Sequence, residues 1–182
     1  YDYLARLKAK VRSRGDDRAG RIVTVLDANA EQVLRPDLEG LDIQLAGVEF
    51  WIAPTPEALT EGVIHWSIPD GQAWSGRKKA DKSVWRYRSP GKDLRVTVKQ
   101  KRDKKSGQWQ TKIIVSAQAV VPSSFADATS YSVKAALAGE TNAGETVPVR
   151  FLGTTPGRVP DLPPMELFEN HGIDPQKAEH EH

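Results

Sequence analysis

The sequence predicts an all-β protein, an antiparallel β-sandwich of Ig-like or jelly-roll-like type with about nine strands. Three observations predict this fold. Apolar and polar residues alternate along much of the chain, which is the pattern of strands with one buried face and one wet face. The 14 glycines and 12 prolines separate the alternating stretches, as turn residues do. With 182 residues, of which 38% are hydrophobic, the chain is long enough for one substantial core.

The first half of the chain contains four predicted strands. Apolar residues from Tyr3 to Val11 alternate with basic ones, which indicates a half-buried first strand. Gly47 interrupts the third strand, and we expect a β-bulge there. Short helical turns are expected near Ala30 and Thr55, in the loops between strands. The four strands are expected over residues 3–11, 22–26, 43–52 and 63–68.

The second half contains the clearest element, a β-hairpin over residues 92–121. Apolar residues alternate with charged ones from Leu94 to Val98, a charged turn follows, and a second alternation runs from Trp109 to Ala119. Residues 72–82 are polar and basic, and we expect a connection there. The remaining strands are expected over residues 84–88, 131–137 and 147–151. The sandwich domain is therefore assigned to residues 1–153, followed by an extended, Pro-rich and acidic C-terminal arm over residues 154–182.

Composition excludes several kinds of chemistry. The chain has no cysteine, so disulfides, thiol catalysis and Cys-ligated metals are excluded. No apolar run approaches the roughly 20 residues that a membrane helix needs, and we predict no membrane span. The first residue is Tyr1, and we expect that a signal peptide has been removed and that the protein is secreted or displayed at the cell surface.

Five strand segments follow one another in a distinctive order: Leu7-Lys8-Ala9-Lys10, Val84-Trp85-Arg86-Tyr87, Leu94-Arg95-Val96, Gln110-Thr111-Lys112-Ile113-Ile114-Val115-Ser116-Ala117 and Tyr131-Ser132-Val133-Lys134-Ala135. This order of elements resembles an uncharacterised β-sandwich module of secreted and surface-exposed proteins of delta-proteobacteria and related bacteria. The resemblance spans residues 4–139 and implies a secreted β-sandwich; it brings no catalytic residues to carry over, and the C-terminal arm lies outside it.

Charge is distributed unevenly along the chain. From Arg77 to Lys112 there are 14 Lys/Arg and 3 Asp, whereas from Asp161 to His182 six acidic residues stand against one lysine. Patches of opposite sign steer head-to-tail association, and a contact that does not close generates a filament. Apolar anchors should carry most of such a contact, since exposed ion pairs are individually weak. The expected subunit-contact residues are Arg95, Lys99, Lys101, Arg102, Lys104, Lys105, Asp161, Leu162, Met165, Glu166, Leu167, Phe168, Glu169 and Asp174.

These features predict a non-enzymatic structural subunit of an extracellular surface assembly or filament, with further copies or other subunits as partners. The arm could dock on its own domain or on a neighbour, and both options stay open. The alternative is a secreted binding module for carbohydrate, with Trp74 in a Gly-flanked loop as the candidate for stacking on a sugar. Single-stranded nucleic acid, bound through the basic hairpin and its aromatic residues, is given less weight.

Catalytic and cofactor signals are sparse. The candidate ligands for a divalent copper, nickel or zinc ion are His171, His180 and His182, near the C-terminus, and no other cofactor is predicted. His65 is expected to pack. The sequence contains no nucleophile elbow, phosphate loop or metalloprotease helix motif, and we therefore predict no catalytic residues.

Overall fold

The computed structural model describes residues 2–15, 17–29, 42–55, 64–68, 74–125, 128, 130–140 and 144–154. Strands account for most of these residues, and a short 3-10 turn lies at Ser123–Phe125. The strands are β1 (Asp2–Arg12), β2 (Gly20–Asn29), β3 (Asp42–Ala53), β4 (Ile64–Ile68), β5 (Ser75–Lys78), β6 (Lys82–Arg88), β7 (Leu94–Arg102), β8 (Trp109–Ala119), β9 (Ser132–Glu140) and β10 (Thr146–Thr154).

All ten strands belong to one hydrogen-bonded sheet, in the order β4-β3-β9-β10-β1-β2-β8-β7-β6-β5. β1 and β10 pair in parallel, and the other neighbours pair in antiparallel fashion. The sheet is curled into a half-barrel. The predicted all-β class is confirmed. A sandwich of two facing sheets is not confirmed, since the described strands form a single sheet of ten rather than about nine strands in two.

The core lies on the inner face of the curl. Phe50, Phe151 and Leu7 are almost fully buried, and the rings of Tyr3 and Phe151 stack with their centroids 4.8 Å apart. One cluster of buried residues extends from β4 at one edge to β7 near the other. The cluster therefore continues from strand to strand along this face of the sheet.

Nine of the ten strands form where the sequence predicts them, with ends that differ by a few residues. The prediction missed β5, because Ser75–Lys78 has no apolar alternation and joins the sheet through backbone pairing with β6. The bulge at Gly47 is confirmed: its φ is 63° and the register shifts between Gln44 and Glu49. The helical turns expected after Ala30 and Thr55 lie outside the described residues.

The sheet ends with β10 at Thr154. The C-terminal arm predicted over residues 154–182 falls, from residue 155 onward, outside the described ranges. Both the arm and the domain boundary at residue 153 therefore stay predictions.

Candidate cationic interface

The register of the strands defines an outer face that is strongly basic. Directly paired residues of neighbouring strands lie on the same face, so a row runs from Arg6 through Asp27 and Lys112 to Lys99. We call the outer-face positions of residues 6–12 of β1 and of β2, β8, β7, β6 and β5 the cationic face. Its thirteen basic residues are Arg6, Lys8, Lys10, Arg12, Arg21, Arg77, Lys82, Arg86, Arg88, Arg95, Lys99, Lys101 and Lys112.

Asp27 is the one acidic residue at these positions, and it accepts a hydrogen bond from the Gln110 side-chain amide at 2.8 Å. All the basic residues of the face are exposed except Lys112, which is half-buried. The face therefore holds half of the chain's 26 lysines and arginines, although the formal net charge of the chain is only +2.

The middle of the cationic face is apolar. Val25 pairs with Ile114 on one side and with Lys8 on the other, and Val23 lies two residues along the same strand. The three apolar side chains are half-buried although they lie on the outer face. An apolar centre within a charged rim is the anatomy of a protein–protein interface.

Several cations on this face are placed directly opposite one another across the strands. Directly opposed side chains have their Cβ atoms about 4.5–5.5 Å apart, and like charges there are destabilising. The repulsion is a local cost of the kind that proteins carry at functional sites, and a bound anionic group would offset it. The four such pairs are Arg12–Arg21, Lys82–Lys101, Arg88–Arg95 and Lys99–Lys112.

An open cleft adjoins this face where the turn between β7 and β8 meets the turn between β5 and β6. We call it the hairpin cleft; its volume is about 1020 Å³. Lys82 and Lys101 belong both to the cleft and to the cationic face, so the two surfaces are continuous. The charged and aromatic residues that line the cleft are Lys79, Asp81, Lys82, Lys101, Arg102, Asp103, Lys104, Lys105 and Trp109.

Hydrogen bonds hold the two turns of the cleft in place. The Gly107 N–H donates to the Asp103 carbonyl at 2.7 Å, with Gly107 at a φ of 72° that favours glycine. The Arg102 N–H donates to the Asp81 carbonyl at 2.8 Å and ties one turn to the other. The Lys105 N–H donates to Asp103 Oδ1 at 2.9 Å, and this bond is the main cause that lowers the pKa of Asp103. The Asp103 carboxylate thus accepts a hydrogen bond within its own turn and stabilises that turn.

The contact residues predicted in the hairpin lie in two places. Arg95, Lys99 and Lys101 are on the cationic face, whereas Arg102, Lys104 and Lys105 are not at its positions and line the cleft. Their predicted counterparts in the arm, and the candidate metal ligands, lie outside the described residues and stay predictions. These are Asp161, Leu162, Met165, Glu166, Leu167, Phe168, Glu169, Asp174, His171, His180 and His182.

Sequence reasoning missed the part of the face that β1 and β2 contribute. The signal was present, because β1 carries basic residues at its polar positions as β7 does. What the alternation does not contain is the sheet order, which places β1 on the same surface as β7 with β2 and β8 between them. The residues missed in this way are Arg6, Lys8, Lys10, Arg12 and Arg21.

The tryptophans have different surroundings. Trp74 is half-buried and packs against the core beside Tyr87, with ring centroids 5.5 Å apart, and its role in stacking on a sugar stays a prediction. Trp51 lies on the outer face and stacks on His65, with centroids 4.8 Å apart and 8° between the ring planes. Trp109 is half-buried in the wall of the hairpin cleft.

A second polar group lies on the other half of the outer face. Lys134 is 2% exposed, and its Nζ lies 4.0 Å from the centre of the Trp51 ring, which is a cation–π contact. The His65 Nε2 lies 3.2 Å from Glu49 Oε1 beside it. Burial, together with the nearby Arg150 guanidinium, lowers the pKa of Lys134 to about 8. Lys134 is thus buried under Trp51, whereas the side chains of His65 and Glu49 remain partly exposed.

Neither a metal cluster nor a membrane helix is found in the part of the chain that the structure describes. No group of three or more His, Cys, Asp or Glu side chains there could hold a metal ion. No helix there is long and apolar enough to cross a membrane. Comparison of the chain with protein-family models, with curated proteins and with solved structures finds no match. The resemblance to the delta-proteobacterial module therefore stays a prediction.

Proposed function

We propose that this chain is a non-enzymatic structural subunit of an extracellular surface assembly, and that its cationic face contacts an acidic segment of an adjacent subunit. The observation that carries the proposal is the composition of that face, with thirteen lysines and arginines against one aspartate. Because the chain is nearly neutral overall, its acidic residues are concentrated elsewhere, notably over residues 161–182. We assign this acidic segment of a second copy as the occupant of the face.

The size of the face supports a protein partner. Six strands about 4.8 Å apart span roughly 24 Å. A standard protein interface buries about 800 Å² per partner, which corresponds to a patch of similar width.

The apolar centre supports the same conclusion. Val23, Val25 and Ile114 offer an acidic polymer nothing to bind, whereas apolar side chains of a protein segment would cover them. The acidic arm carries such side chains next to its carboxylates: Leu162, Met165, Leu167 and Phe168.

The proposed contact joins two different surfaces of the subunit. A segment of one copy on the sheet of the next is a heterologous contact, and such contacts generate filaments when the rotation does not close. The Coulombic part of the contact steers the encounter, and the apolar part holds the complex.

The test uses charge reversal and its repair in the full chain. One variant carries Lys8→Glu with Lys10→Glu on the face, and the other carries Asp161→Lys with Glu166→Lys in the arm. Each alone should weaken self-association about tenfold or more in light scattering, because like charges then meet in the contact. A mixture of the two variants should assemble again, since each surface finds a complementary partner.

A matched control carries Arg14→Glu with Arg18→Glu, which make the same charge change in an exposed turn outside the cationic face. This control should assemble as the unmodified chain does. Full assembly of both single-surface variants would contradict the proposal, and so would folded variants whose mixture stays dissociated.

A further inference from the structure

We infer that the hairpin cleft binds an anionic oligosaccharide, a glycan chain that carries sulfate, phosphate or carboxylate groups. The inference goes beyond the subunit contact proposed above. It uses side chains at the end of the β7–β8 hairpin, whereas the centre of the subunit contact lies on β1, β2 and β8.

The first step is the charge of the cleft. Lys82 and Lys101 face each other directly across β6 and β7, so a single oxyanion can lie within reach of both ammonium groups. Without an anion the pair is repulsive. Lys104 and Lys105 extend from the exposed turn on the same side. Because Asp103 is bonded within its own turn, the lysines dominate the charge that a ligand meets.

The second step is the length of the basic surface. A smaller hollow of about 290 Å³ shares Lys79 and Lys82 with the hairpin cleft and adds Arg77 and Arg86. The two hollows together form a continuous basic track along the ends of β5, β6 and β7. A track of this kind suits a linear ligand with repeated anionic groups better than a single small ion.

The third step is the aromatic wall. Trp109 is half-buried beside the cleft, and the negative face of an aromatic ring attracts the C–H groups of a sugar ring. The cleft volume of about 1020 Å³ leaves room for several sugar units. The lysines of the cleft would therefore bind the acidic groups of the glycan, and the Trp109 ring would position one sugar unit.

Nucleic acid fits the cleft less well. Proteins that bind single strands stack successive bases on successive aromatic side chains. Trp109 is the one aromatic residue among the described lining residues, so one base at most could stack. A lipid surface fits less well too, because among the described residues the exposed large hydrophobic side chain is Val120, which is not in the cleft.

The test measures binding of a fluorescently labelled heparin-derived hexasaccharide to the full chain by fluorescence polarisation at constant salt. Lys104→Glu with Lys105→Glu should weaken binding about tenfold or more, since two cations become anions beside the ligand. Trp109→Ala should weaken it about tenfold, while Trp109→Phe should keep most of it because a ring remains. A neutral cello-oligosaccharide of equal length should not compete.

Lys8→Glu with Lys10→Glu is the matched control, because it makes the same charge change outside the cleft. This control should leave hexasaccharide binding within about threefold of the unmodified chain. Equal loss in the control and in the cleft variant would overturn the inference, since diffuse charge would then explain binding. Tighter binding of a single-stranded oligonucleotide than of the hexasaccharide would also overturn it. The same variant should weaken the proposed self-association but keep hexasaccharide binding. Failure of the subunit proposal and failure of the glycan proposal can therefore be told apart.

Discussion

Lys134 shows how the outer face encloses a cation that solvent hardly reaches. Its ammonium group lies against the Trp51 ring, with Glu49, His65 and Arg150 nearby. Burial disfavours the charged form and Arg150 repels it, so the pKa falls to about 8, whereas the Glu49 carboxylate raises it. The stacked ring and the carboxylate offset part of this cost.

The lowered pKa of Lys134 makes the free energy of unfolding depend on pH. Below about pH 8 the lysine is charged in both the folded and the unfolded chain, and the cost of burying the charge is fully present. Between about 8 and 10.5 the folded state releases the proton before the unfolded state does, so stability should rise with pH.

The measurement compares urea unfolding of the unmodified chain with that of Lys134→Met at several pH values. The free energy of unfolding of the unmodified chain, relative to that of the variant, should rise between about pH 8 and pH 10 by at most about 1.4 kcal/mol per pH unit. A difference that does not change with pH would show that Lys134 keeps an ordinary pKa.

Gly153 in β10 lies where a side chain would have no room. A Cβ at this position would lie 2.7 Å from Leu26 Cδ2 and 3.0 Å from Leu7 Cβ, and both leucines are buried. We expect Gly153→Ala to lower the free energy of unfolding by about 1–3 kcal/mol, because the packed core has little room to shift. Gly91→Ala is the control, since its Cβ would meet only the exposed Asp93 side chain at 3.4 Å. Equal urea midpoints for the two variants would contradict the packing around Gly153.

At the scale of the strands, β6, β7 and β8 carry a repulsion that packing does not require. Lys99 faces Lys112 on one side and Val84 on the other, and Lys101 faces Lys82. Apolar or acidic residues could occupy these exposed positions without disturbing the inner core. We therefore expect that the strands lose some stability by carrying a surface suited to anions.

Lys99→Glu tests directly whether the repulsion between opposed lysines lowers the free energy of unfolding. The substitution turns the repulsion with Lys112 into an attraction, and the free energy of unfolding should rise by about 0.2–1 kcal/mol. Arg86→Glu makes the same charge change opposite Thr97 and Ser75, and it should stay within about 0.5 kcal/mol of the unmodified chain. Urea unfolding at low salt measures both, and a Lys99→Glu variant no more stable than Arg86→Glu would contradict the cross-strand repulsion.

The strands differ in how well the sequence predicts them. The β7–β8 hairpin could be predicted because its apolar residues alternate from Leu94 to Val98 and from Trp109 to Ala119, and pairing between sequence neighbours is local. β5 could not, since its pairing depends on backbone groups alone. The parallel pairing of β1 with β10 joins the first and the last described strands of the sequence in the middle of the sheet, and nothing in either strand specifies its partner.

At the scale of the molecule, the order of the strands creates the candidate site. Alternation in β1 and in β7 predicts that each has a basic face, but only the order β1-β2-β8-β7 places both on one surface. The inner face of the curled sheet carries the apolar core, and the cationic face is the part of the outer face that lies on β1, β2, β8, β7, β6 and β5. The described strands leave the cations of the outer face exposed, apart from the half-buried Lys112.

Salt dependence follows from this arrangement. The proposed contact and the glycan contact both depend on exposed cations, so both should weaken as ionic strength rises and the Debye length falls from about 10 Å at 0.1 M to about 3 Å at 1 M. The apolar centre on β2 and β8 should make self-association less sensitive to salt than hexasaccharide binding. Identical salt slopes for the two processes, measured by light scattering and fluorescence polarisation, would contradict an apolar contribution to the subunit contact.

The most direct test of the central claim is the mass in solution of the full chain and of a variant that ends at Thr154, the last residue of β10. Light scattering at low salt should show large assemblies for the full chain and monomers for the shortened chain, because the acidic segment that we propose as the occupant of the cationic face is then missing. Monomers in both samples would contradict the claim that this face joins one subunit to the next.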